Sequence, residues 1–519
     1  MHIGVDVGGT NTDAVLLDGS KVIASVKSPT THDVGSGIVK AISSIMNSSG
    51  CDVSEISSVM IGTTQFTNAF VEGKKLVPVG VVRAALPATG SILPMTEFPP
   101  HLISQIGRQS YLVEGGYEFD GSKINNLDES AVAEAARDMR RQGINSIVVS
   151  GVFTPINDSM ENRMAEIIRN EIPDANVTLS SEIGRIGLIE RENASIMNAS
   201  LMDLSRAVMT AFREALVQLN ILCPFFVSQN DGTLMTSEFA EKYPVLTFAS
   251  GPTNSMRGAA FLSGVENGIV ADIGGTTTDV GVLIGGFPRE SAISVDVGSV
   301  RTNFRMPDVL AVGLGGGSIV RQTGSGVNIG PDSVALDLLT QARVFGGQTL
   351  TTTDIAVTAG YADIGDKSLV ADMDPALVEA AVCGIHDLLE ATVDRVKSSK
   401  GDVPVILVGG GSVLVNRDIK GASEVIRPEL SGVANAVGAG LAQVGGEIDR
   451  IYSYSDIGRE KSIAQAKEEA IRRAVLAGAS SGSTNIVSIE EMPLAYLPAG
   501  AVRIKVKAIG DLEQAETLK

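Results

Sequence analysis

The sequence predicts an α/β protein of two similar lobes facing each other across a cleft, followed by a small α+β C-terminal segment. Three observations carry this expectation. Apolar, β-branched runs alternate with stretches of helical periodicity along most of the 519 residues. The pattern Val5-Asp-Val-Gly-Gly-Thr-Asn-Thr-Asp13 recurs as Ala271-Asp-Ile-Gly-Gly-Thr-Thr-Thr-Asp279, about half a chain later, too far apart for a short-period solenoid but suited to two related domains. Many of the 57 glycines form short clusters directly after apolar strands, where a chain turns sharply or lets a ligand approach its backbone.

The first lobe is expected over residues 1–185. It opens as a meander: His2-Ile-Gly-Val-Asp-Val, a turn at Gly8-Gly9, Ala14-Val-Leu-Leu, a turn at Asp18-Gly19, and Lys21-Val-Ile-Ala-Ser-Val. Val34, Ile38, Val39, Ile42, Ile45 and Met46 mark one face of a helix, and Ser57-Ser-Val-Met-Ile-Gly is a strand. A helix from Asp128 to Gln142, capped by Asp128, precedes the strand at 146–153; a helix at 158–170 precedes the strand at 176–180. The second lobe is expected over 186–445. Residues 188–219 read as one long helix or a pair, and Gly268-Ile-Val-Ala-Asp-Ile and Val403-Pro-Val-Ile-Leu-Val as strands that run into glycines. The C-terminal segment, 446–519, holds an amphipathic helix at 458–477, strands at 484–489 and 501–508, and a polar end.

Composition narrows the function classes. Hydrophobic residues are 44% and charged residues 19%, a globular balance. A net charge of −19 argues against sequence-independent nucleic-acid binding and against anionic membranes; its plainest meaning is solubility. No apolar run of spanning length and no signal segment is evident. Cys51, Cys223 and Cys383 are far apart and form neither a metal motif nor a disulfide framework, so a cytoplasmic location is expected. The four histidines are scattered, and no zinc site is expected.

The repeated pattern points to phosphate. Paired glycines let backbone N–H groups face an anion, and the Thr and Asn side chains add donors. An Asp at the end of the strand does not attract phosphate, but it suits a hydrated Mg²⁺ held by one or two carboxylates together with phosphates. The competing explanation is a pair of ordinary β-turns with polar tips. Two triple-glycine segments, Val312-Gly-Leu-Gly-Gly-Gly-Ser318 and Leu407-Val-Gly-Gly-Gly-Ser412, suit packing of a flat base or ribose on the main chain. Neither has the Lys of a P-loop or the full dinucleotide fingerprint, and for each alone a plain tight turn is the more common explanation.

Together, the two Asp-(Val/Ile)-Gly-Gly-Thr hairpins and the later Val-Gly-Gly-Gly-Ser resemble the phosphate-1, phosphate-2 and adenosine motifs of the actin, heat-shock-chaperone and sugar-kinase superfamily. Further segments resemble the hydantoinase/oxoprolinase A-type subunits: Ile61-Gly-Thr-Thr-Gln-Phe-Thr-Asn-Ala69, Gln229-Asn-Asp-Gly-Thr-Leu-Met235, Ala249-Ser-Gly-Pro-Thr-Asn-Ser255, Gly313-Leu-Gly-Gly-Gly-Ser-Ile319, Gly330-Pro-Asp-Ser333 and Thr353-Asp354. The resemblance runs from residue 1 to about 445. It implies ATP and Mg²⁺ bound between two ribonuclease-H-like, actin-like ATPase lobes. It also implies phosphorylation of the amide oxygen of a cyclic amide (a hydantoin, 5-oxoproline or a lactam), with hydrolysis aided by a second, B-type subunit.

Carried over position by position, the resemblance assigns Mg²⁺ to Asp6 and Asp272, and catalysis to these two with Thr10 and Thr276. Gly8, Gly9, Thr10, Asn11 and Thr12 would cradle phosphates from one lobe, and Gly274, Gly275, Thr276, Thr277 and Thr278 from the other. Gly409, Gly410 and Gly411 would line the adenosine side, and Thr63, Thr64 and Asn68 the substrate side. Asp13 and Asp279 are either second carboxylates of the site or supports of their hairpins. The chain departs from longer members after Gly330-Pro331, where Ala335-Leu-Asp-Leu-Leu stands in place of a Cys and a Tyr. Rival readings are a small-molecule kinase, an ATP-sensing regulator or chaperone-like ATPase, and an ATP-dependent carboxylase that needs other subunits. The oligomeric state, a homo-oligomer included, stays open.

Overall fold

The computed structural model describes residues 1–8, 11–19, 21–29, 34–291, 294–324, 326–441, 443–494 and 500–512. The fold is a mixed α/β arrangement of several sheets. It opens with the expected meander: β1 (His2–Val7), β2 (Asn11–Asp18) and β3 (Lys21–Pro29) are antiparallel neighbours, and after the helix at 34–49, β4 (Ser58–Thr63) lies parallel to β1. Both faces of β1 are covered, which is why Ile3, Val5 and Val7 alternate with small or acidic residues instead of exposed polar ones.

The chain then leaves this sheet. β5 (Val79–Leu86), β6 (Gln109–Glu114), β7 (Ser146–Gly151) and β8 (Asn176–Leu179) form a separate parallel sheet in the order β6-β5-β7-β8. The helices at 129–141 and 159–171 bury Val132, Met139, Met164 and Ile168 against it, and Asp128 caps the first of them by accepting from the Ala131 N–H. This sheet is tied to the helix Leu188–Ser200 by a fully buried ion pair. Arg83 donates from Nε and Nη2 to the two oxygens of Glu192 at 2.8 and 2.5 Å, and Ser150 donates to the same carboxylate. Residues 188–219 are a pair of helices, 188–200 and 202–218.

β9 (Phe225–Ser228) and β10 (Leu234–Thr236) rejoin the first sheet beyond β4. The helix Ser250–Ser263 leads to the second main sheet, made of β11 (Gly268–Ile273), β12 (Thr278–Ile284), β13 (Phe287–Pro288), then, beyond the hairpin of β14 (Val295–Val297) and β15 (Val300–Thr302), β16 (Val309–Val312). A further hairpin, β17 (Ser318–Thr323) with β18 (Gly326–Ser333), and the long helix 375–396 precede β19 (Val403–Val408) and β20 (Ala422–Ile426). The helix Ala434–Leu441 leads back, and β21 (Val444–Ser453), β22 (Asn485–Pro493) and β23 (Ala501–Gly510) complete the first sheet. Its nine strands run in the order β22-β23-β21-β10-β9-β4-β1-β2-β3. The second runs β13-β12-β11-β19-β20, with β16 also paired to β12.

The two sheets repeat one connectivity. β1–β2 and β11–β12 are matching hairpins, β4 and β19 lie parallel to their first strands, and β9 and β20 lie parallel beyond those. The sheets divide the chain differently from the three sequence segments. β9 and β10, within 186–445, belong with β1, and β21–β23 extend that same sheet instead of forming a unit of their own. Among the described residues no helix is long and apolar enough to cross a membrane.

The chain passes between the two main sheets at the helices 250–263 and 434–441, and these two helices cross in contact. The first packs Met256 and Ala259 on Val270, Ile406 and Val408 of the second sheet. The second packs Ala436 and Val437 on Val15 and Leu17 of the first. At the crossing a Cβ on Gly258 would lie 1.8 Å from the Ala434 carbonyl oxygen, and one on Gly438 would lie 1.8 Å from the Asn254 carbonyl oxygen. Gly4 of β1 makes the same kind of room, since its Cβ would stand 2.4 Å from the Ala436 oxygen. Backbone meets backbone at all three points, so no side chain can yield.

Gly258→Ala and Gly438→Ala should therefore each destabilise the protein by about 1–3 kcal/mol through overpacking, although alanine in an exposed helix would stabilise by up to ~1 kcal/mol. Thermal unfolding of the single variants checks this; an unchanged or raised Tm would refute the crossing. Glu192→Ala, which strands the buried Arg83 charge, should cost about 3–5 kcal/mol, read from a chemical denaturation midpoint.

Candidate functional site

The two hairpins place their matching residues alike. Asp6 faces Asp13 across β1–β2, and Asp272 faces Asp279 across β11–β12. The turns close in the same way: Gly8 N–H donates to the Asn11 carbonyl at 3.0 Å, and Gly274 N–H to the Thr277 carbonyl at 2.9 Å. Gly9 and Thr10 lie outside the described residues. Asn11 begins β2, and Thr12 is buried beside Val7. In the second turn Gly275 is exposed, and a Cβ there would meet nothing within 4 Å. Thr276 and Thr277 occupy the same rim, whereas Thr278 is buried and donates its hydroxyl to the Leu314 carbonyl at 2.6 Å.

Asp6 is 3% exposed and is held from both crossing helices. Asn254 Nδ2 of the 250–263 helix donates to Oδ1 at 3.4 Å, and Asn435 Nδ2 of the 434–441 helix donates to Oδ2 at 2.9 Å. Gly62, at the end of β4, leaves room for this carboxylate: a Cβ there would stand 2.4 Å from Asp6 Oδ1. Asp13 accepts from Lys27 Nζ at 3.0 Å, and the same ammonium reaches the Gly432 carbonyl at 2.9 Å. Asp272 is hydrogen-bonded by Ser255. A Cβ on Gly409, which has φ +83°, would come within 2.3 Å of Asp272 Oδ1.

Two acidic hairpins with few cations are an electrostatic burden. Burial, and then the charge of Asp13, push the Asp6 carboxyl up to about 6, against the two amides. Burial, with Asp272 added, pushes Asp279 up to about 7. Burial also raises Asp272 and Asp13, opposed at Asp13 chiefly by Lys27. The Oδ1 atom of Asp13 and the Oδ1 atom of Asn254 are buried without a hydrogen-bond partner. The arrangement therefore favours a bound cation between the hairpins. Among the described residues no three Asp, Glu, His or Cys side chains converge into a metal cage, so a metal here would draw most of its ligands from water or from a ligand's phosphates.

The glycine segments have different parts. Gly411 N–H donates to the Ile273 carbonyl at 2.7 Å, which lays 409–411 beside the second turn, and a Cβ on Gly410 would meet nothing within 4 Å. The amides of 314–318 are all taken within the protein. Gly316 and Gly317 N–H donate to the Gly274 and Gly275 carbonyls at 3.0 and 2.7 Å, and a Cβ on Gly315 would stand 2.6 Å from Thr276 N. Thr353 Oγ1 in turn donates to the Gly316 carbonyl at 2.7 Å. This segment braces the turn from behind.

Thr63 lies at the buried end of β4 beside Val7, and its carbonyl accepts from Ser250 Oγ at 3.3 Å. Thr64 stands against Gly251, at the start of the helix that carries Asn254. Asn68 is exposed, one turn farther along the 65–72 helix. Sequence reading missed Asn254, Ser255, Asn435 and Lys27 as site residues. Asn254 and Ser255 end the Ala249–Ser255 segment, and Lys27 lies directly across from Asp13 in strand register. For Asn435 the signal is weaker: an amide among the small apolar residues of the 434–441 helix.

Two sequence models of one family match this chain, the hydantoinase/oxoprolinase N-terminal region at residues 2–172 and hydantoinase/oxoprolinase at residues 191–396, together well over half of it. The chain belongs to the hydantoinase/oxoprolinase family. It is 28% identical over 382 residues to caprolactamase subunit alpha of Pseudomonas jessenii, covering 69% of this chain and 54% of that subunit. It is also 28% identical over 394 residues to the acetophenone carboxylase gamma subunit of Aromatoleum aromaticum, covering 69% and 53%. These alignments thus span about half the length of both relatives. The crystal structure of ATP-dependent caprolactamase from Pseudomonas jessenii superposes with a TM-score of 0.79 at 20% identity, over 99% of this chain and 88% of that one, and shares its fold.

In metal- and nucleotide-free protein the carboxyl shifts fix the sign of a pH effect. A carboxyl raised from about 4 to about 6 or 7 in the folded state favours folding while protonated, and that contribution is lost as pH rises through the folded value. Asp279→Asn should therefore raise stability at pH 8 by up to about 4 kcal/mol and flatten the fall in Tm between about pH 4 and 7. Thermal melts in chelator across that range provide the check; an equal fall in the variant would contradict it.

Proposed function

We propose that the chain is the ATP-using subunit of an enzyme that activates a cyclic amide of hydantoin, 5-oxoproline or lactam type for hydrolysis. The observation that carries this reading is the pair of matched Asp-(Val/Ile)-Gly-Gly-Thr hairpins, with their acidic strand ends brought within electrostatic reach by the crossing helices. The two sheets, with β1-β2-β4-β9 mirrored by β11-β12-β19-β20, are the ribonuclease-H-like lobes of this proposal, assembled from discontinuous stretches of chain. ATP would lie between the turns, with Gly8–Thr12 and Gly274–Thr278 at its phosphates and Gly409–Gly411 toward its adenosine.

Mg²⁺ fits the donors present: Asp6 and Asp272 offer carboxylates short of countercharge and too few for a full protein cage. Bound there, the ion would neutralise charge on the phosphates. The chain's own contribution is positioning. Asn254 and Asn435 fix both oxygens of Asp6, Ser255 holds Asp272, and Gly409 leaves room for the Asp272 carboxylate. The 312–318 brace ties up the carbonyls of the second turn, which leaves its rim free to turn N–H and hydroxyl donors to an anion. Thr63, Thr64 and Asn68 would stand on the substrate side.

An amide resists water because resonance stabilises it. Transfer of the γ-phosphoryl group to the amide oxygen, with departure of ADP, removes that resonance. Water can then add at the carbon; the ring C–N bond opens as the nitrogen takes up a proton, and a second water releases phosphate from the acyl phosphate so formed, leaving the carboxylate. The relatives named as subunits of caprolactamase and of a carboxylase support a second, hydrolytic chain for the later steps. The carboxylase relative also gives weight to a second reading, in which the activated oxygen belongs to a ketone enolate or to bicarbonate.

ATP hydrolysis by the purified chain with Mg²⁺ should rise several-fold with one compound from a panel of hydantoins, 5-oxoproline and lactams. Asp6→Asn and Asp272→Asn should each lower the stimulated rate by a factor of about 10²–10³, the range for loss of a preorganised electrostatic group. Stimulation only by a ketone with bicarbonate would select the second reading, and absence of ATP binding would overturn both.

A further inference from the structure

Away from the hairpins, a cavity of about 110 Å³ lies where three parts of the molecule meet: residues 181–185 after the small sheet, the first half of β21, and Arg473 of the helix Arg459–Leu476. One water needs roughly 10–15 Å³ on that measure, so there is room for a small molecule. The acidic groups of its wall are already matched. Glu447 Oε2 accepts from Arg305 Nη1 at 2.7 Å; Asp449 accepts from Arg503 at 2.7 and 2.5 Å; Glu182 accepts from the Tyr243 hydroxyl at 2.5 Å and lies 3.4 Å from Lys242.

Of the wall's arginines, Arg185 pairs with Glu290 and Asp449, and Arg305 with Glu447 and Asp231, whereas Arg450 and Arg473 are less well served. Arg305 Nε–H is buried without an acceptor. Arg450 has an ion pair only at 3.8 Å, to Asp158. Arg473 shares Glu469, which the fork of Arg472 already holds at 2.8 and 2.7 Å, and otherwise donates to the Glu447 carbonyl at 3.1 Å. Burial, and after it the charge of Arg450, hold the Arg473 guanidinium below its usual value, with Glu469 opposing. The rest of the wall includes Ile183, Phe239, Leu246 and Ile448. The unmet demand is thus for negative charge with two acceptor atoms, next to an apolar surface.

We propose that this cavity binds a small organic carboxylate, with the carboxylate against Arg450 and Arg473 and the carbon part against Phe239, Leu246 and Ile448. A planar carboxylate matches the guanidinium fork in a bidentate way. The apolar half of the wall disfavours an inorganic tetrahedral anion, which would lose water there and gain nothing. The ligand would join the small sheet to the nine-stranded one, and so set how that unit sits on the rest of the chain. The site stands whether or not the hairpins use ATP.

The full chain is titrated with acetate, lactate and 5-oxoproline at constant ionic strength, with chloride and sulfate as controls, and followed by calorimetry and thermal melting. A saturable, carboxylate-specific rise in Tm is expected, with an affinity at least about tenfold weaker in Arg473→Gln and in Arg450→Gln, as for loss of a charged hydrogen bond. Arg450 makes only a long ion pair, so its variant should keep the native Tm without ligand and carries the test should Arg473→Gln fold poorly. No shift beyond the salt controls, an equal response to sulfate, or undiminished binding in Arg450→Gln would each overturn the proposal.

Discussion

Everything about this molecule's centre depends on how closely two helices can cross. The chain passes from its first sheet to its second along 250–263 and returns along 434–441, and at the crossing the main chains touch through Gly258 and Gly438. Each helix is packed on a different sheet, so the crossing fixes the distance between the sheets. It also fixes the chemistry. The residue whose carbonyl Gly438 meets is Asn254, and its side chain donates to Asp6 from one side; Asn435, beside Ala434, donates from the other. A wider crossing would draw both amides away from the carboxylate. The glycines thus set where the two amides meet the Asp6 carboxylate, although neither touches it.

The cost of bringing the hairpins together is charge. Burial raises the proton affinity of Asp6, Asp13, Asp272 and Asp279; the charge of Asp13 adds to this at Asp6 and Asp272, and that of Asp272 at Asp279, while Lys27 opposes it at Asp13 and Asp272. Such a cluster contributes nothing to stability in the empty protein; it destabilises the fold at neutral pH. Sites of this kind store the cost of binding in advance: a cation that enters need not first assemble its carboxylates, and its charge relieves their repulsion. The two orphaned oxygens, Asp13 Oδ1 and Asn254 Oδ1, are consistent with a centre completed by something other than side chains.

Much of this was legible in the sequence, because hairpins and capped helices are local. The meander of β1–β3, the Asp128 cap and the helical character of 188–219 follow from alternation, turn residues and 3.6-residue periodicity, although not the break that makes 188–219 two helices. The repeat placed Asp6 and Asp272 at equivalent strand ends before any coordinates did. Sheet membership was not legible. β9, β10 and β21–β23 join β1 across hundreds of residues, and nothing in a short apolar run states which edge it will pair with. Asn254 and Asn435 escaped for a related reason: their partner is Asp6, 248 and 429 positions away, and an asparagine in a helix carries no local mark of that.

The triple glycines show where composition alone misleads. Both follow strands and both lie by the second turn, yet only the 409–411 segment leaves a glycine facing open space. In the 315–317 segment glycine is needed because the backbone of Gly275 and Thr276 lies within 2.6 Å of where a Cβ would be, and two of its amides hold the carbonyls of that turn. A turn meant to bind an anion must point donors outward, and it can do so only if its acceptors are occupied elsewhere. The second glycine cluster occupies them, and Thr352 and Thr353 then take up the carbonyls of the brace itself. The second turn is thus held by a layer of main-chain bonds behind it, with Thr278 joined to that layer through Leu314. The first turn has a different support, the crossing helices and Lys27, so the two halves of the repeat are alike in front and unlike behind.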